Sequence, residues 1–344
     1  MDYLRQQFNN ELRATIDTDP IGFQKISIGV VEFTTDQVLQ GLDPIAYEDA
    51  FTEWLEERKK RLIRLADDIL NLYTNRDRFQ MLLQAYKHGS VIPFIGAGMS
   101  MSSGYIGWTA FLNRLREETN ISKRNLSILL KDGKYEEAAQ LLADNMPENA
   151  FNEQLDMYFG QERPLAGAVR SLPQFFNSAV ITTNFDDVVQ KCYASQGVSF
   201  ADTLLGVDAH EIRRQLGQGT RVLVKLHGRA RSSIGRILTY KEYESHYGLQ
   251  APIPEVINAI CVKTLLFLGC SLTIDRTVKA MEHLAIQHGG SAVRRYAFLP
   301  LKSESQRVAR SHSLAKSNIF PIWYPSDADH DEVIEALLVK LKEA

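Results

Sequence analysis

Six short apolar runs follow one another from residue 91 onward, and they constrain the fold of this chain more than any other feature. The runs are 91–95, 179–183, 221–226, 264–268, 295–299 and 319–323. They are apolar almost throughout rather than at alternate positions, which is typical of strands covered on both faces. Segments with helical spacing lie between most of them, at 109–118, 186–195, 252–261, 274–288, 304–316 and 329–342. This alternation predicts an α/β fold with a doubly wound, parallel, Rossmann-like sheet.

Two further segments complete the predicted organisation. The stretch at about 120–175 has helical spacing and no strand signal, so we expect a small helical insert between the first two strands. Residues 1–88 predict an N-terminal, mostly helical appendage, with an edge strand or hairpin arm at 26–33. The long helical segment at 46–73 carries an apolar stripe that charges interrupt midway, and the stripe could pack on the main domain or contact another subunit. The main domain would then span 89–344.

The composition excludes several classes of function. The formal net charge of the 344 residues is −3, and no long basic run is present, so we expect no direct binding of nucleic acid. No window approaches 18 uncharged apolar residues, and the N-terminus does not resemble a signal peptide, so we expect a cytoplasmic protein without a membrane segment. The three cysteines, Cys192, Cys261 and Cys270, form no C-x-x-C pair, so we expect no metal site.

The residues that follow the first four predicted strands are small or polar, and parallel strands bring them to one edge of a sheet, where such folds bind ligands. They are Gly96, Ala97, Gly98 and Ser100 after the first strand, Thr183, Asn184 and Asp186 at the end of the second, His227 after the third, and Gly269 and Ser271 after the fourth. The first loop has Met101 where a dinucleotide fingerprint has its third glycine, and it lacks the Gly-Lys-Ser/Thr of a phosphate loop. By itself it fits either a tight turn or a bare backbone that a pyrophosphate can approach.

Taken in order, the segments "GAGMS", "TTNFD", "LHG" and "GCSL" resemble the four signatures of the sirtuins, a family of NAD-consuming enzymes. The resemblance covers roughly residues 89–300 and implies that NAD is the substrate. It implies that the loop with Gly96, Ala97, Gly98 and Ser100 binds the pyrophosphate, and that the segment with Thr183, Asn184 and Asp186 lines the nicotinamide-ribose pocket. It further implies that His227 is the catalytic histidine and that Gly269 and Ser271 meet the adenosine half.

Departures from the sirtuin pattern narrow the resemblance to one branch. The two cysteine pairs that hold the structural zinc of ordinary sirtuins are missing, and "SGYIGWTAFL" stands where they continue into Gly-Ile-Pro-Asp-Phe-Arg. Thr183 and Phe185 occupy positions where deacylating sirtuins favour Gln and Ile. Together these changes look like the sirtuin-like proteins of prokaryotic antiphage systems, which hydrolyse NAD to nicotinamide and ADP-ribose.

The implied roles follow from the chemistry of three side chains. His227 could act as a base on water or on a ribose hydroxyl near neutral pH. Asn184 could orient either group, since an amide both donates and accepts. Asp186 could hold the nicotinamide amide or stabilise positive charge in the transition state. Simpler interpretations stay open: His227 could be a structural residue, and Asp186 and Ser271 could each cap the following helix.

The sequence therefore favours a NAD glycohydrolase that depletes NAD in antiphage defence. A non-catalytic sensor of NAD or of an ADP-ribose derivative is the main alternative, and a NAD-dependent protein deacylase is a weaker one because the zinc ligands are missing. Such an enzyme needs control, and the family analogy implies a homo-oligomer and a separate protein partner, such as a hexameric DNA-translocating ATPase or a short Argonaute. Residues 1–88 are the candidate contact surface.

Overall fold

A computed structural model describes residues 2–17, 26–28, 30–248, 251–272 and 276–343, and its contacts divide the chain into two compact units, Met1–Ala66 and Asp67–Ala344. The strands of the described residues are β1 (Ile26–Ile28), β2 (Val31–Phe33), β3 (Val91–Ile95), β4 (Val180–Thr182), β5 (Asp202–Leu205), β6 (Val222–Lys225), β7 (Thr264–Leu268), β8 (Arg295–Leu301) and β9 (Ile319–Pro325).

The helices of the described residues lie before, between and after these strands. They are α1 (Asp2–Asp17), α2 (Thr35–Leu42), α3 (Pro44–Leu70), α4 (Asn75–Lys87), α5 (Gly98–Met101), α6 (Trp108–Glu117), α7 (Lys123–Lys131), α8 (Tyr135–Ala143), α9 (Glu148–Leu155), α10 (Leu172–Phe175), α11 (Val188–Ser195), α12 (Ala209–Gly217), α13 (Tyr240–Tyr247), α14 (Pro252–Ile260), α15 (Arg276–His288), α16 (Glu304–Lys316) and α17 (His330–Glu343). A π-helical turn at Asp156–Gly160 and 3₁₀ turns at Ala168–Ser171 and Gly289–Ser291 complete them.

The second unit is built on a seven-stranded sheet in which every neighbouring pair is parallel. The strand order is β5-β6-β4-β3-β7-β8-β9. The chain leaves β3 toward β4 on one side and later returns to β7 on the other, so the direction of winding reverses beside β3. The prediction of a doubly wound, Rossmann-like α/β fold is confirmed.

The continuous apolar runs became the strands at the centre of this sheet because both of their faces are covered. Every residue of β3, β4, β6 and β7 is buried. Ile92, Phe94, Ile181, Val224 and Phe267 join one apolar core with residues of the flanking helices. The segment at 120–175 forms α7 to α10 and the two short turns at 156–160 and 168–171, without a strand, as predicted.

Two outer features differ from the sequence prediction. The edge strand β5 was not predicted, because its four residues begin with an exposed Asp202 and only Leu204 is buried. Helix α13 was not predicted either, and none of its eight residues, all within the described chain, is fully buried. Both elements lie at the surface, where the apolar pattern that marks buried elements is weak. Of the helix predicted at 274–288, residues 274 and 275 lie outside the described residues.

The first unit has a small aromatic core of its own. Strands β1 and β2 pair antiparallel, which confirms the predicted hairpin arm. Phe8 of α1 packs against Tyr47, Phe51 and Trp54 of α3, with ring centroids 5.4 to 5.7 Å apart. Phe51 and Trp54, which belong to the apolar stripe predicted at 46–73, therefore contact α1. The sequence had suggested packing on the main domain or contact with another subunit, and neither alternative included α1.

Residues 67–90, which precede β3, belong to the second unit. Asn75, at the start of α4, is buried and exchanges hydrogen bonds with the backbone of Trp323 on β9, at 2.7 and 3.0 Å. The contacts thus divide the chain at residue 66, whereas the sequence placed the end of the appendage at 88. Among the described residues, no helix combines the length and hydrophobicity that crossing a membrane requires.

Candidate active site

The loops that carry the sequence-predicted site residues all leave the same edge of the sheet. They follow β3, β4, β6 and β7, which are neighbours in the order β6-β4-β3-β7. Leu226 N–H, just after β6, donates to Thr182 O at the end of β4 (2.8 Å), so Asn184 and His227 follow adjacent strands. The reversal of winding at β3 places these loops at the point where doubly wound sheets bind ligands.

The glycines after β3 fit closely against the loop after β7. Gly96 N–H donates to Leu268 O and Gly98 N–H donates to Gly269 O, both at 2.9 Å. A Cβ on Gly96 or Gly98 would lie 2.6 or 2.8 Å from Gly269 O. Gly269 itself has φ +66°, and its Cβ would lie 2.5 Å from Met99 N. The packing of two loops therefore requires these glycines, a reason that the sequence did not reveal.

The amide groups of this loop already have acceptors. Gly98 N–H donates to Gly269 O, Met99 N–H to Gly96 O (3.1 Å), and Ser100 N–H to Ala97 O (3.0 Å). A diphosphate bound here would have to replace these carbonyls. The pyrophosphate role expected for this loop stays a prediction.

Asn184 is the centre of a buried hydrogen-bond network. Its Nδ2 donates to Gly96 O (3.0 Å) and to Ser100 Oγ (3.1 Å), and its backbone N–H donates to Thr182 Oγ1 (3.0 Å). Thr182 Oγ1 in turn donates to Ile95 O (2.9 Å). Because both amide protons are used within the protein, the group that Asn184 can offer a water or ribose hydroxyl is the acceptor Oδ1.

Asp186 belongs to the same network. Ser100 Oγ donates to Asp186 Oδ1 (3.1 Å), which also accepts from Val188 N–H (3.1 Å) at the start of α11. Burial raises the pKa of Asp186 above its usual range, while the Val188 amide, the Lys225 charge and the Ser100 hydroxyl oppose this shift. Asp186 precedes Asp187, the N-cap residue of α11, and accepts from the first amide of that helix. It also joins Ser100 and Asn184 in one network.

A small cavity with room for about one water molecule opens beside this network, and four of its nine lining residues are aromatic. Its lining comprises Ala97, Ser100, Tyr105, Ile106, Trp108, Phe159, Asn184, Phe185 and Asp186. The ring of Trp108 meets Phe185 edge to face, with centroids 5.2 Å apart, and lies 5.5 Å from Phe159. Sequence reasoning missed Tyr105, Ile106 and Phe159, because nothing in their local spacing links them to the strand ends; Trp108 was noted only as a departure from the sirtuin pattern.

His227 is buried at the same edge of the sheet, and its ring contacts Tyr247 of the surface helix α13. Its Nε2 lies 2.8 Å from the hydroxyl oxygen of Tyr247, which lies 2.7 Å from Thr277 Oγ1. Burial, and secondarily the charge of His246, lower the pKa of His227 to about 3. The imidazole is therefore neutral and a weak base at physiological pH, and its Nε2 is engaged with the Tyr247 hydroxyl.

The remaining predicted residues lie outside this network. Thr183 is half-buried and is not part of the cavity lining, whereas its neighbour Thr182 makes the contacts. Ser271 is exposed, and its carbonyl accepts from Arg310 (2.6 Å). In the described parts of the chain, no three His, Cys, Asp or Glu side chains cluster closely enough to hold a metal ion.

Comparison with known proteins agrees with this architecture. A family model described as a SIR2-like domain matches residues 178–322, a range that includes the loops after β4, β6 and β7. The NAD(+) hydrolase ThsA of Acinetobacter baumannii (strain 532279) is 30% identical over 179 residues, which are 52% of this chain and 36% of that protein. The protein of the same name from Enterococcus faecium is 25% identical over 199 residues, 55% of this chain and 39% of that one.

A third relative is named defense-associated sirtuin 2, from Bacillus subtilis. It is 25% identical over 199 residues, which are 56% of this chain and 19% of that protein. The chain thus spans less than two fifths of the length of each of these curated relatives. The resemblance that the motifs carry is confirmed: residues 178–322 match a SIR2-like domain, and the chain is similar to two NAD(+) hydrolases and to a defence-associated sirtuin.

Proposed function

We propose that this chain is a NAD glycohydrolase that cleaves NAD to nicotinamide and ADP-ribose and acts as a NAD-depleting effector in antiphage defence. The observation that carries the proposal is the network of Asn184, Ser100 and Asp186 beside an aromatic cavity at the carboxyl edge of the sheet. The names of the relatives support the same chemistry.

The wall of the cavity carries groups that suit a flat, partly polar ring, but the cavity has room for only about one water molecule, so the ring would enter only after side chains of the wall move. Trp108, Phe159 and Phe185 offer aromatic surface, and the Asp186 carboxyl offers a hydrogen-bonding group to a carboxamide. Ligand sites are commonly apolar with a few polar groups that fix orientation. The nicotinamide ring would occupy this cavity, which leaves the ribose beside Asn184.

The reaction breaks the bond between ribose C1′ and the pyridinium nitrogen. The bonding electrons go to that nitrogen, which becomes neutral, and the ribose becomes an oxocarbenium ion. Asn184 Oδ1 would accept a hydrogen bond from a water molecule and direct the lone pair of the water oxygen toward C1′. The proton that the water loses would go to His227, whose ring is neutral before the step and becomes cationic as the new bond from the water oxygen to C1′ removes the charge of the ribose.

His227 can fill this role only after its Nε2 exchanges Tyr247 for the substrate or water. That observation favours one second candidate, a sensor that binds NAD or an ADP-ribose derivative without turnover, because the histidine is already engaged. A protein deacylase is a third and weaker proposal, since the cysteine pairs of ordinary sirtuins are missing.

The setting of the reaction is part of the same proposal. NAD is the substrate, no metal takes part, and the protein acts in the cytoplasm. It assembles as a homo-oligomer and is switched on by a separate protein partner, such as a hexameric DNA-translocating ATPase or a short Argonaute. The appendage, residues 1–88, supplies the contact surface, and neither a nucleic acid nor a membrane binds the chain directly.

One assay separates the three candidates. Purified chain is incubated with NAD, with and without an acetyl-lysine peptide, and free nicotinamide is followed by chromatography, while total NAD is measured in bacteria that express the chain. Asn184→Ala tests the network. Asn113→Ala, which removes an amide bonded only within its own helix to Thr109 O, is the matched control.

We expect nicotinamide release without peptide, about 100-fold lower in Asn184→Ala and unchanged in Asn113→Ala, because a positioned polar group of this kind contributes that much to catalysis. Tight NAD binding without nicotinamide release, together with an undiminished cellular NAD pool, would instead establish the sensor. Release that requires the peptide would establish the deacylase.

A further inference from the structure

The apolar run of β6 contains one residue that the sequence leaves unexplained. Lys225 ends a strand that is otherwise Val-Leu-Val, and it is completely buried. A buried ammonium group is costly unless each of its protons has an acceptor. Lysines of surface strands meet this need with water, but Lys225 must meet it within the protein.

All three acceptors come from the loop after β4. Lys225 Nζ donates to Phe185 O (3.1 Å), to Asp186 O (2.7 Å) and to Asp187 Oδ1 (2.8 Å). An ammonium group has three protons, so these bonds use all of them. Residues 183–187 form neither helix nor strand. Asp187 O accepts from Lys191 N–H (3.0 Å) and Phe185 O from Ala230 N–H (3.4 Å). Lys225 adds a second bond to Phe185 O and the bond to Asp186 O.

The Lys225 ammonium group forms an ion pair with Asp187 at 2.8 Å. The Asp187 carboxylate is half exposed, whereas the lysine side chain is 1% exposed. Burial lowers the pKa of Lys225, and Asp187 opposes this shift. The pair is therefore anchored by the buried lysine, and the carboxylate can be altered without opening a cavity in the core.

We propose that Lys225 is a positioning residue that fixes the loop 183–187 and thereby holds Asn184 and Asp186 in the geometry for cleaving NAD. The proposal rests on the proposed function. Its distinctive feature is that the two bonded carbonyls belong to Phe185, a wall of the cavity, and to Asp186, a member of the Asn184 network. Lys225 also precedes His227 by two residues on the same strand and loop, so β6 supports both sides of the site.

Three variants test this role. Lys225→Met keeps the length of the side chain and removes all three donors. Asp187→Asn removes the charge of the pair while both backbone acceptors remain, and it guards against a Lys225→Met protein that fails to fold. Asp67→Asn is the matched control, because Asp67 forms an equally short pair with Lys340 (2.8 Å) and is 40% exposed, on helices α3 and α17.

Two readouts are needed for each variant. The first is kcat and KM for nicotinamide release from NAD. The second is hydrogen–deuterium exchange of the peptide covering 183–188, whose Asn184 and Val188 amides donate to Thr182 Oγ1 and Asp186 Oδ1. Exchange of β3, residues 91–95, reports whether the sheet itself is intact.

We expect kcat to fall about 100-fold in Lys225→Met and about 5-fold in Asp187→Asn, with KM changed less than about 3-fold, because small displacements of reacting groups cost rate more than binding. Exchange at 183–188 should rise in both variants and stay unchanged in Asp67→Asn. Faster exchange with an unaltered kcat, or a lower kcat with unaltered exchange, would overturn the proposal. A wild-type chain that releases no nicotinamide under any condition would refute the proposed function, and unaltered exchange at 183–188 would then refute the anchoring separately.

Discussion

The loops after β4 and β6 run side by side at one edge of the sheet, yet their key side chains are held in different ways. Asn184 is bonded to Gly96 O, Ser100 Oγ and Thr182 Oγ1, atoms that the central strands and their first turns fix in place. His227 is bonded instead to Tyr247, at the end of the surface helix α13. One side of the site depends on the sheet and the other on a helix without a fully buried residue.

This difference indicates which side can change on binding. The partners of Asn184 cannot move without disturbing β3 and β4, so its amide is preorganised before substrate arrives. The partner of His227 can move with α13, which Arg276 of α15 ties down through Glu244 (2.5 Å). We therefore expect Asn184 to contribute fixed geometry and His227 to depend on the position of Tyr247.

The largest expected effect is a loss in the free energy of unfolding at acid pH, and it follows from the burial of His227. Its folded-state pKa of about 3 lies below the ordinary value of 6.5, so the unfolded chain binds this proton first as the pH falls. The stabilisation is complete above pH 6.5 and is lost between pH 6.5 and 3, at about 1.4 kcal/mol per pH unit.

Urea denaturation of wild type and His227→Gln at pH 6.5 and pH 4 measures this loss. The wild type should lose about 3 kcal/mol more than the variant between the two pH values, which is the shift of a fully buried group. His210→Gln, at an exposed position on α12, should behave like the wild type. Equal acid sensitivity of wild type and His227→Gln would show that the ring is solvated.

The contact between the loops after β3 and β7 predicts a loss of similar size in the free energy of unfolding, on the Asn184 side of the site. Ala at Gly269 would require a left-handed backbone and place its Cβ 2.5 Å from Met99 N. Gly269→Ala should lower the free energy of unfolding by about 3 kcal/mol, since backbone strain and a close backbone contact add.

Gly89 offers the matched control for strain alone. It has φ +63° and nothing within 4 Å of an added Cβ, so Gly89→Ala should cost only about 1 kcal/mol. The difference between the two variants in a denaturation series isolates the packing of the loops. Equal losses would mean that Gly269 is needed for its backbone angles and not for the contact with Met99.

The smallest expected effect is on the rate of nicotinamide release, and it follows from the hydroxyl of Tyr247, which contacts His227. Tyr247→Phe keeps the ring and removes the bond to His227 Nε2, so nicotinamide release should rise about 3-fold, the value of one weak hydrogen bond that substrate no longer has to displace. Tyr240→Phe, on the same helix and at an exposed position, should leave the rate unchanged. A slower Tyr247→Phe enzyme would mean that the hydroxyl assists His227 rather than restraining it.

The sequence predicted the centre of the molecule better than its edges. The runs at 91–95 and 264–268 became β3 and β7 without change because a strand covered on both faces is apolar at every position. The edge strand β5 begins with an exposed Asp202, and a strand with one open side has no such pattern.

The same contrast holds for the candidate site. Asn184, Asp186 and His227 were identified because each directly follows a strand, and the topology brings those ends together. Tyr105 and Phe159 reach the cavity from a loop and from the helical insert, and Tyr247 comes from α13, none of whose residues is fully buried. Their places depend on tertiary packing between segments far apart in the chain, which local spacing does not encode.

The central claim is that Asn184, held by the central strands, and His227, held by Tyr247 of α13, form one NAD-cleaving centre. The rate of nicotinamide release by His227→Ala tests this claim most directly. We predict that this variant, folded and assayed beside wild type and His210→Ala, releases nicotinamide at least about 100-fold more slowly than both. Release by His227→Ala at the wild-type rate would contradict the account, because the imidazole at the end of β6 would then take no part in the chemistry.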